Sequence, residues 1–208
     1  NNDPNYQYVT AGGDRLRLRV IGNAISTGAF GHGVSGGDQS GPIQAALDFA
    51  AANGLGTVLL SRGAQLANTV EIPGGVTLTS PLRRKITMLA GCGTAFKNRI
   101  TSGVPEDGPG LENIIIDANN VSDAYEGFRS DGSKDVRIRG CEFLNFTAAA
   151  TGSAGAGHAG ADGNDPVYAG WDNACAVVLT SHPRPSGSMY NSSRWLIDDC
   201  RFINCRRA

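Results

Sequence analysis

Acidic and basic side chains recur at one position of a repeated pattern in the chain. Residues 113–117, 135–139 and 194–198 each carry apolar residues at their second and fourth positions, and they end on Asp117, Arg139 and Asp198. If the apolar residues of a strand point inward, the fifth residue points outward, so we expect these three side chains in one outward column, with Asp199 at the following bend. Neighbouring carboxylates can act as general acid and general base. An Asp–Arg–Asp column is also typical of an exposed charge ladder, and the sequence leaves both interpretations open.

A second group of candidate residues lies in residues 147–173, which are rich in Gly and Ala and have no hydrophobic period. The stretch is predicted to be one long loop, and long loops in compact domains are often functional. Aromatic rings beside carboxylates suit a carbohydrate, because a ring packs on the C–H face of a sugar and carboxylates accept hydrogen bonds from its hydroxyls. The predicted substrate-binding residues are His158, Tyr168, Trp171 and Asp172. The alternative is that Tyr168 and Trp171 only attach a surface loop to the domain.

The repeated pattern predicts strands that stack on one another in successive coils. The interval from Ile114 to Val136 falls within the repeat lengths of stacked architectures, and the next interval, from Val136 to Trp195, is longer because it includes the predicted loop. Asn145 and Asn204 follow the repeat, and we expect them in a turn with a left-handed backbone and a hydrogen bond between coils. The predicted inward columns are Ile114 with Val136 and Trp195, Ile116 with Ile138 and Ile197, Cys141 with Cys200, and Phe143 with Phe202.

One helix and three short strands are predicted in residues 41–80. Ser40 is expected to cap the helix, and Gly54 to end it in a left-handed conformation. After Gly54 the hydrophobic period changes to about two, in short runs separated by Gly or Pro at residues 57–60, 69–72 and 76–78. The residues with helical spacing that share the predicted buried face are Ile43, Ala46, Leu47, Ala50 and Ala51.

Three runs in this part of the chain carry a resemblance to a known superfamily. They are Ala29-Phe30-Gly31, Ile43-Gln44-Ala45-Ala46-Leu47 and Gly56-Thr57-Val58-Leu59-Leu60. They resemble the N-terminal segment of the pectate-lyase-like superfamily. The resemblance implies an all-β fold, a right-handed single-stranded parallel β-helix (pectin-lyase-like) with one N-terminal capping α-helix. It implies a β-helix domain at residues 25–208, preceded by a lead-in or adaptor segment at residues 1–24 that is similar to that of phage tailspikes.

The resemblance also implies candidate mechanisms. In hydrolases of this fold, acids on neighbouring coils protonate the leaving oxygen and activate water or attack the sugar. In lyases, Asp clusters hold Ca²⁺ against the substrate, and a Lys or Arg removes a proton. The candidate catalytic residues in either mechanism are Asp117, Arg139, Asp198 and Asp199. Ca²⁺ is expected only for a lyase, and no metal site is predicted from the residues themselves.

The function implied by this resemblance is that of a phage tailspike-like protein, located in the virion tail or outside the cell. Such a protein binds a host cell-surface polysaccharide, with or without depolymerising it, as a homotrimer or together with other tail proteins. One alternative is a secreted polysaccharide lyase, hydrolase or epimerase of the same fold, and another is a structural tail component without activity. Because an open solenoid end exposes core and strand edges, we also expect either coils after residue 208 or a covering subunit.

Composition sets limits on the class of protein. The 208 residues suit one domain, and the 29 glycines suit many tight turns. The formal net charge of −1 gives no reason to expect nucleic acid or an anionic membrane as partner. No apolar run approaches the roughly 18 residues of a membrane span. Five cysteines occur without metal-ligand spacing, and we interpret them as buried thiols.

Overall fold

The computed structural model describes residues 20–33, 37–122, 124–147, 175–184 and 187–205. It also describes the backbone of an antiparallel pair near the start of the chain, β1 (Gln7–Val9) and β2 (Arg15–Arg17). The described chain is all-β, with several parallel sheets and a single α-helix.

Three parallel sheets contain most of the strands. The first sheet consists of β3 (Ala24–Ser26), β4 (Thr57–Leu59), β7 (Thr77–Thr79), β12 (Gly110–Glu112), β15 (Arg137–Arg139) and β20 (Leu196–Asp198). The second consists of β5 (Ala64–Leu66), β8 (Lys85–Met88), β13 (Ile115–Asp117), β16 (Glu142–Leu144) and β21 (Arg201–Ile203). The third consists of β6 (Val70–Ile72), β9 (Thr94–Asn98), β14 (Glu126–Asp131) and β17 (Cys175–Thr180).

The chain visits the first, second and third sheets in the same order at each passage, and we call one passage a coil. Coil 1 contains β4 to β6, coil 2 contains β7 to β9, coil 3 contains β12 to β14, and coil 4 contains β15 to β17. Coil 5 contains β20 and β21. Two antiparallel hairpins interrupt this order after a third-sheet strand: β10 (Ile100–Thr101) with β11 (Val104–Pro105), and β18 (His182–Pro183) with β19 (Met189–Tyr190).

The helix α1 (Ser40–Ala52) follows a 3-10 helix (Thr27–Phe30) and packs against β3, β4 and β6. Its predicted face is confirmed except at Ala51, which is exposed, whereas Ile43, Ala46, Leu47 and Ala50 are fully buried. The helix therefore covers apolar residues at the start of the first and third sheets.

The ends of α1 are only partly as expected. Ser40 is the first helical residue rather than the cap, and Gln39 occupies the cap position. The Asp38 carboxylate accepts the backbone N–H of Ser40 at 2.9 Å. The same Asp38 oxygen accepts the N–H of Ala67 at 3.0 Å, so one carboxylate joins the helix to coil 1. Gly54 does adopt the predicted left-handed conformation, with φ of 64°.

Side chains of the same kind stack from coil to coil inside the three sheets. Ile138 pairs with Ile197 in the first sheet, and the rings of Phe143 and Phe202 stack in the second with centroids 5.3 Å apart. These columns were predicted. Trp195 lies opposite Val136, as predicted, because Leu196 is in register with Arg137. It is nevertheless 52% exposed, because coil 5 has a neighbouring coil on only one side within the described residues.

The alignment of residues 113–117 with residues 135–139 is wrong. Ile116 is in register with Phe143, in the second sheet, whereas Ile138 pairs with Leu111 in the first. The correct match joins Gly110 to Arg137, which is a longer interval than the predicted one. The three consecutive isoleucines at residues 114–116 are compatible with more than one choice of inward-pointing residues, and this ambiguity led to the wrong alignment.

The corners between sheets use left-handed residues at equivalent places. Asn113, Gly140 and Asp199 each follow a first-sheet strand and have φ of 54°, 62° and 49°. Asn145 and Asn204 follow second-sheet strands with φ of 61° and 53°, and Asn204 Nδ2 donates to Asn145 Oδ1 at 2.9 Å. The predicted asparagine turn and its hydrogen bond between coils are confirmed.

We predict that Gly127→Ala destabilises the protein, by about 1–3 kcal/mol in the free energy of unfolding, because an added methyl group would overpack the core. A Cβ at this position would lie 2.6 Å from Phe143 Cδ1 and 2.7 Å from the carbonyl oxygen of Ala176. The control is Gly41→Ala in α1, where the new Cβ would meet no atom within 4 Å outside the adjacent residues and the local helix backbone. Urea unfolding should show no loss of stability for the control, because alanine fits a helix at least as well as glycine. Equal midpoints for the two variants would contradict the packing at Gly127.

Candidate functional site

The four predicted catalytic residues lie on two different sheets. Arg139 and Asp198 are neighbours in the first sheet, with Arg139 Nε 3.2 Å from Asp198 Oδ2. Asp199 is exposed at the next corner, as expected. Asp117, however, is in β13 of the second sheet, in register with Leu144 and Thr87. The predicted column of Asp117, Arg139 and Asp198 is therefore wrong for Asp117.

Glu112 occupies the place in the first sheet that was assigned to Asp117. It is in register with Arg139, which is in register with Asp198, so acid, base and acid alternate over three coils. The side chains of Arg139 and Asp198 are 64% and 49% exposed, and exposed ion pairs contribute about 0–1 kcal/mol. This arrangement is that of a charge ladder, and a catalytic role for its members stays a prediction.

Asp117 has a more structured environment than the other three candidates. Its Oδ1 accepts the backbone N–H of Asn119 at 2.8 Å and Asn145 Nδ2 at 2.9 Å, and Lys85 Nζ lies 3.2 Å from Oδ2. The residue is 7% exposed. Burial raises the pKa of Asp117, but the hydrogen bonds from Asn145, Asn119 and Lys85 outweigh it and lower the pKa overall. The carboxylate is therefore ionised at neutral pH.

These contacts form a continuous line across four coils, which we call the polar row: Lys85, Asp117, Asn145 and Asn204. Lys85 belongs to coil 2 and Asp117 to coil 3, and the two asparagines follow the second-sheet strands of coils 4 and 5. Each member is hydrogen-bonded to the next, at 3.2, 2.9 and 2.9 Å. The row runs across the strands of the second sheet, from one coil to the next.

More charged groups lie beside the polar row on the same sheet. Glu142 accepts hydrogen bonds from Arg83 at 3.0 Å and from Arg201 at 3.1 Å. Together with the row, this gives three cations and two carboxylates on this face.

A cavity of about 430 Å³ adjoins the Lys85 end of the polar row. Thr87, which lines the cavity, is in register with Gln65 on one side and Asp117 on the other, so the cavity and the row are continuous. The residues that line it are Gly33, Gly37, Gln39, Gly63, Ala64, Gln65, Lys85 and Thr87.

The sequence interpretation missed a buried ionic cluster on the third sheet. Arg129 Nε lies 2.8 Å from Asp131 Oδ1, and Arg129 Nη1 lies 3.0 Å from Glu126 Oε1. Glu126 is 2% exposed and also accepts a hydrogen bond from Thr94 at 2.7 Å. Burial lowers the pKa of Arg129, but the two carboxylates outweigh it and raise the pKa. The cluster is internally paired, which is the geometry of a structural ion network.

The predicted substrate-binding residues His158, Tyr168, Trp171 and Asp172 lie outside the described residues. Of the described residues at the two ends of this segment, Thr147 lies two residues after Asn145 of the polar row, and its hydroxyl donates to Asn120 Oδ1 at 3.3 Å. Cys175 instead begins β17 on the third sheet, where its N–H donates to the carbonyl oxygen of Tyr125 at 2.7 Å.

Among the residues that the structure describes, no group of three or more His, Cys, Asp and Glu side chains is arranged to hold a metal ion. In the same residues, no helix has the length and apolar character of a membrane span. No protein-family model, curated protein or solved structure matches the chain.

We predict that Asp117→Asn lowers stability at neutral pH by about 1–3 kcal/mol, because charge-assisted hydrogen bonds are lost in a shielded place. The folded-state pKa of Asp117 is lowered, so its contribution is present above the unfolded pKa of about 4 and is lost as the pH falls through the folded value. The difference between variant and wild type, measured by urea unfolding, should therefore shrink at acid pH.

The matched control for this measurement is Asp198→Asn, which removes an exposed carboxylate paired with Arg139. We expect a change of less than about 1 kcal/mol at any pH. A constant difference for Asp117→Asn over the whole pH range would refute the role assigned to its charge.

Proposed function

We propose that the three parallel sheets are the walls of a right-handed single-stranded parallel β-helix, and that its second sheet binds an acidic polysaccharide. The constant order in which the chain visits the sheets supports the β-helix. Connections between parallel strands of a sheet are right-handed in almost all proteins, which supports the handedness. The helix α1, packed on the first strands, acts as the N-terminal cap.

The single observation that carries the binding proposal is the polar row. Adjacent strands of a sheet lie about 4.8 Å apart, close to the length of one sugar residue. A polysaccharide laid along the row would therefore meet one hydrogen-bonding side chain per sugar. The Lys85 ammonium group and the two amides of the row are exposed or partly exposed, and they can donate to and accept from sugar hydroxyls. The buried Asp117 carboxylate holds Lys85 and Asn145 in place.

The charge balance of the same face favours an acidic polymer. Arg83, Lys85 and Arg201 outnumber Asp117 and Glu142 by one positive charge. Carboxylate groups of a uronate polymer would form charge-assisted hydrogen bonds with these cations. The cavity beside Lys85 offers room for a substituent or for the end of the polymer.

We assign the segment with Tyr168 and Trp171 to the same site, because its first residue, Thr147, lies two residues after Asn145 in the sequence. In this proposal its rings pack against sugars, and His158 and Asp172 bind hydroxyls. The biological role we propose is attachment of a phage tail to a host-surface polysaccharide, in a homotrimer or with other tail proteins.

The test is affinity electrophoresis and calorimetry with a panel of neutral and uronate-containing bacterial polysaccharides. We expect wild-type protein to bind a uronate polymer, and Lys85→Gln to weaken this binding about tenfold, as for the loss of one charge-assisted hydrogen bond.

The matched control is Lys97→Gln in the same coil. Lys97 is paired with Glu71 on the third sheet at 3.0 Å, much as Lys85 is paired with Asp117 at 3.2 Å. The control should bind as tightly as wild type. Equal weakening by both variants, or no binding of any polymer by wild type, would contradict the proposed site.

The same polymers test for turnover. New reducing ends together with the ultraviolet absorbance of unsaturated uronates would indicate a lyase, and reducing ends alone a hydrolase. Comparison with and without Ca²⁺, and with Asp198→Asn, would then identify the mechanism. Binding without turnover would favour an attachment protein over a free enzyme.

A further inference from the structure

Two cysteines occupy the same position in successive coils. Cys141 directly precedes β16 and Cys200 directly precedes β21. The backbone on both sides of the pair is hydrogen-bonded, from Gly140 N to Asp198 O and from Arg201 N to Cys141 O, each at 2.9 Å. The two residues are therefore held in register by the backbone and not only by their side chains.

The two thiols point in the same direction. Cys141 Sγ donates to the carbonyl oxygen of Arg139 at 3.4 Å, and Cys200 Sγ to that of Asp198 at 3.3 Å, in each case two residues earlier. When Cys200 is ionised, the Cys141 S–H can donate to the Cys200 thiolate instead of to the carbonyl oxygen of Arg139. Neighbouring strands lie about 4.8 Å apart, and this separation falls within the Cα range of about 4.4–6.8 Å found in disulfides.

The two thiols differ in exposure and acidity. Cys141 is fully buried, whereas Cys200 is partly exposed. The hydrogen bond from Cys141 lowers the pKa of Cys200 to about 7, and the same bond, together with burial, raises the pKa of Cys141. Cys205 lies in the same coil, and burial raises its pKa. Because a thiolate is the attacking form, Cys200 is the more reactive cysteine of coil 5 at neutral pH.

We propose that Cys141 and Cys200 are a redox-active pair that a low-molecular-weight disulfide oxidises to a disulfide between coils 4 and 5. The Cys200 thiolate attacks one sulfur of the oxidant, forms a mixed disulfide and releases the other sulfur as a thiolate. Cys141 then loses its proton, attacks the Cys200 sulfur and releases the second thiol. The protein loses two electrons and two protons, and the oxidant is reduced to two thiols.

This bond would close a long loop that contains the whole of residues 147–173. Closing a long loop reduces the freedom of the unfolded chain, so oxidation should raise the unfolding midpoint. It would also link coil 5 covalently to coil 4, in addition to the backbone hydrogen bonds, the Arg139–Asp198 ion pair and the Phe143–Phe202 stacking that now hold it.

The experiment treats native wild-type protein at pH 7 with oxidised glutathione and counts free thiols. We expect the count to fall from five to three, with the mass lowered by that of two hydrogen atoms. Trypsin followed by a glutamyl endopeptidase cuts after Arg139, Glu142, Arg194 and Arg201, which separates Cys141 from Cys175. A cross-linked pair of peptides, residues 140–142 with residues 195–201, is the expected product.

The control variant is Cys205→Ser, which should form the same cross-link. Cys200→Ser should form none, and Cys141→Ala should stop at a glutathione adduct on Cys200. Brief iodoacetamide labelling of reduced wild type adds a measurement that needs no variant, and it should modify Cys200 several-fold faster than Cys205. A cross-link that includes Cys175 or Cys205, an unchanged thiol count, or equal labelling of Cys200 and Cys205 would overturn the proposal.

Discussion

The backbone hydrogen bonds between successive coils are the constraint on which the rest of the structure depends. Each short strand has only a few residues, and its N–H and C=O groups are satisfied by the equivalent strand of the next coil. Buried backbone groups without partners cost about as much as a lost hydrogen bond, so the coils must stay in register. The register in turn determines which side chains become neighbours, although they belong to separate coils and lie far apart in the sequence.

The polar row and the cysteine pair are both consequences of this register. Asp117, Asn145 and Asn204 are far apart in sequence, yet consecutive members hydrogen-bond because their coils are adjacent. Cys141 and Cys200 meet for the same reason, at a position that Ile114 fills in coil 3. Stacking of equivalent positions thus produces a line of polar groups across the second sheet and a pair of thiols near the core. The register of the coils therefore determines both the packing that stabilises the fold and the side-chain groups that could bind or react.

The sequence interpretation succeeded where local chemistry decides the outcome and failed where register decides it. Asn145 and Asn204 were expected at left-handed corners because their side chains tolerate that backbone, and both adopt it. Asp117 was assigned to the wrong sheet, because an isoleucine run does not reveal which of its residues begins a strand. Asn113, which follows Glu112 at a corner as Gly140 follows Arg139, was the signal that could have corrected the alignment.

The sequence by itself determined the class of structure: one helix with a periodic apolar face, short apolar runs between Gly, Pro and Asn turns, and stacked phenylalanines. These features follow from side-chain volume and backbone preference, which act over a few residues. Only the tertiary structure decided that Asp117 joins Lys85 and Asn145 rather than Arg139 and Asp198. The physical reason is that loops of unequal length between strands hide the coil register from the sequence, whereas paired backbone groups impose it in the folded chain.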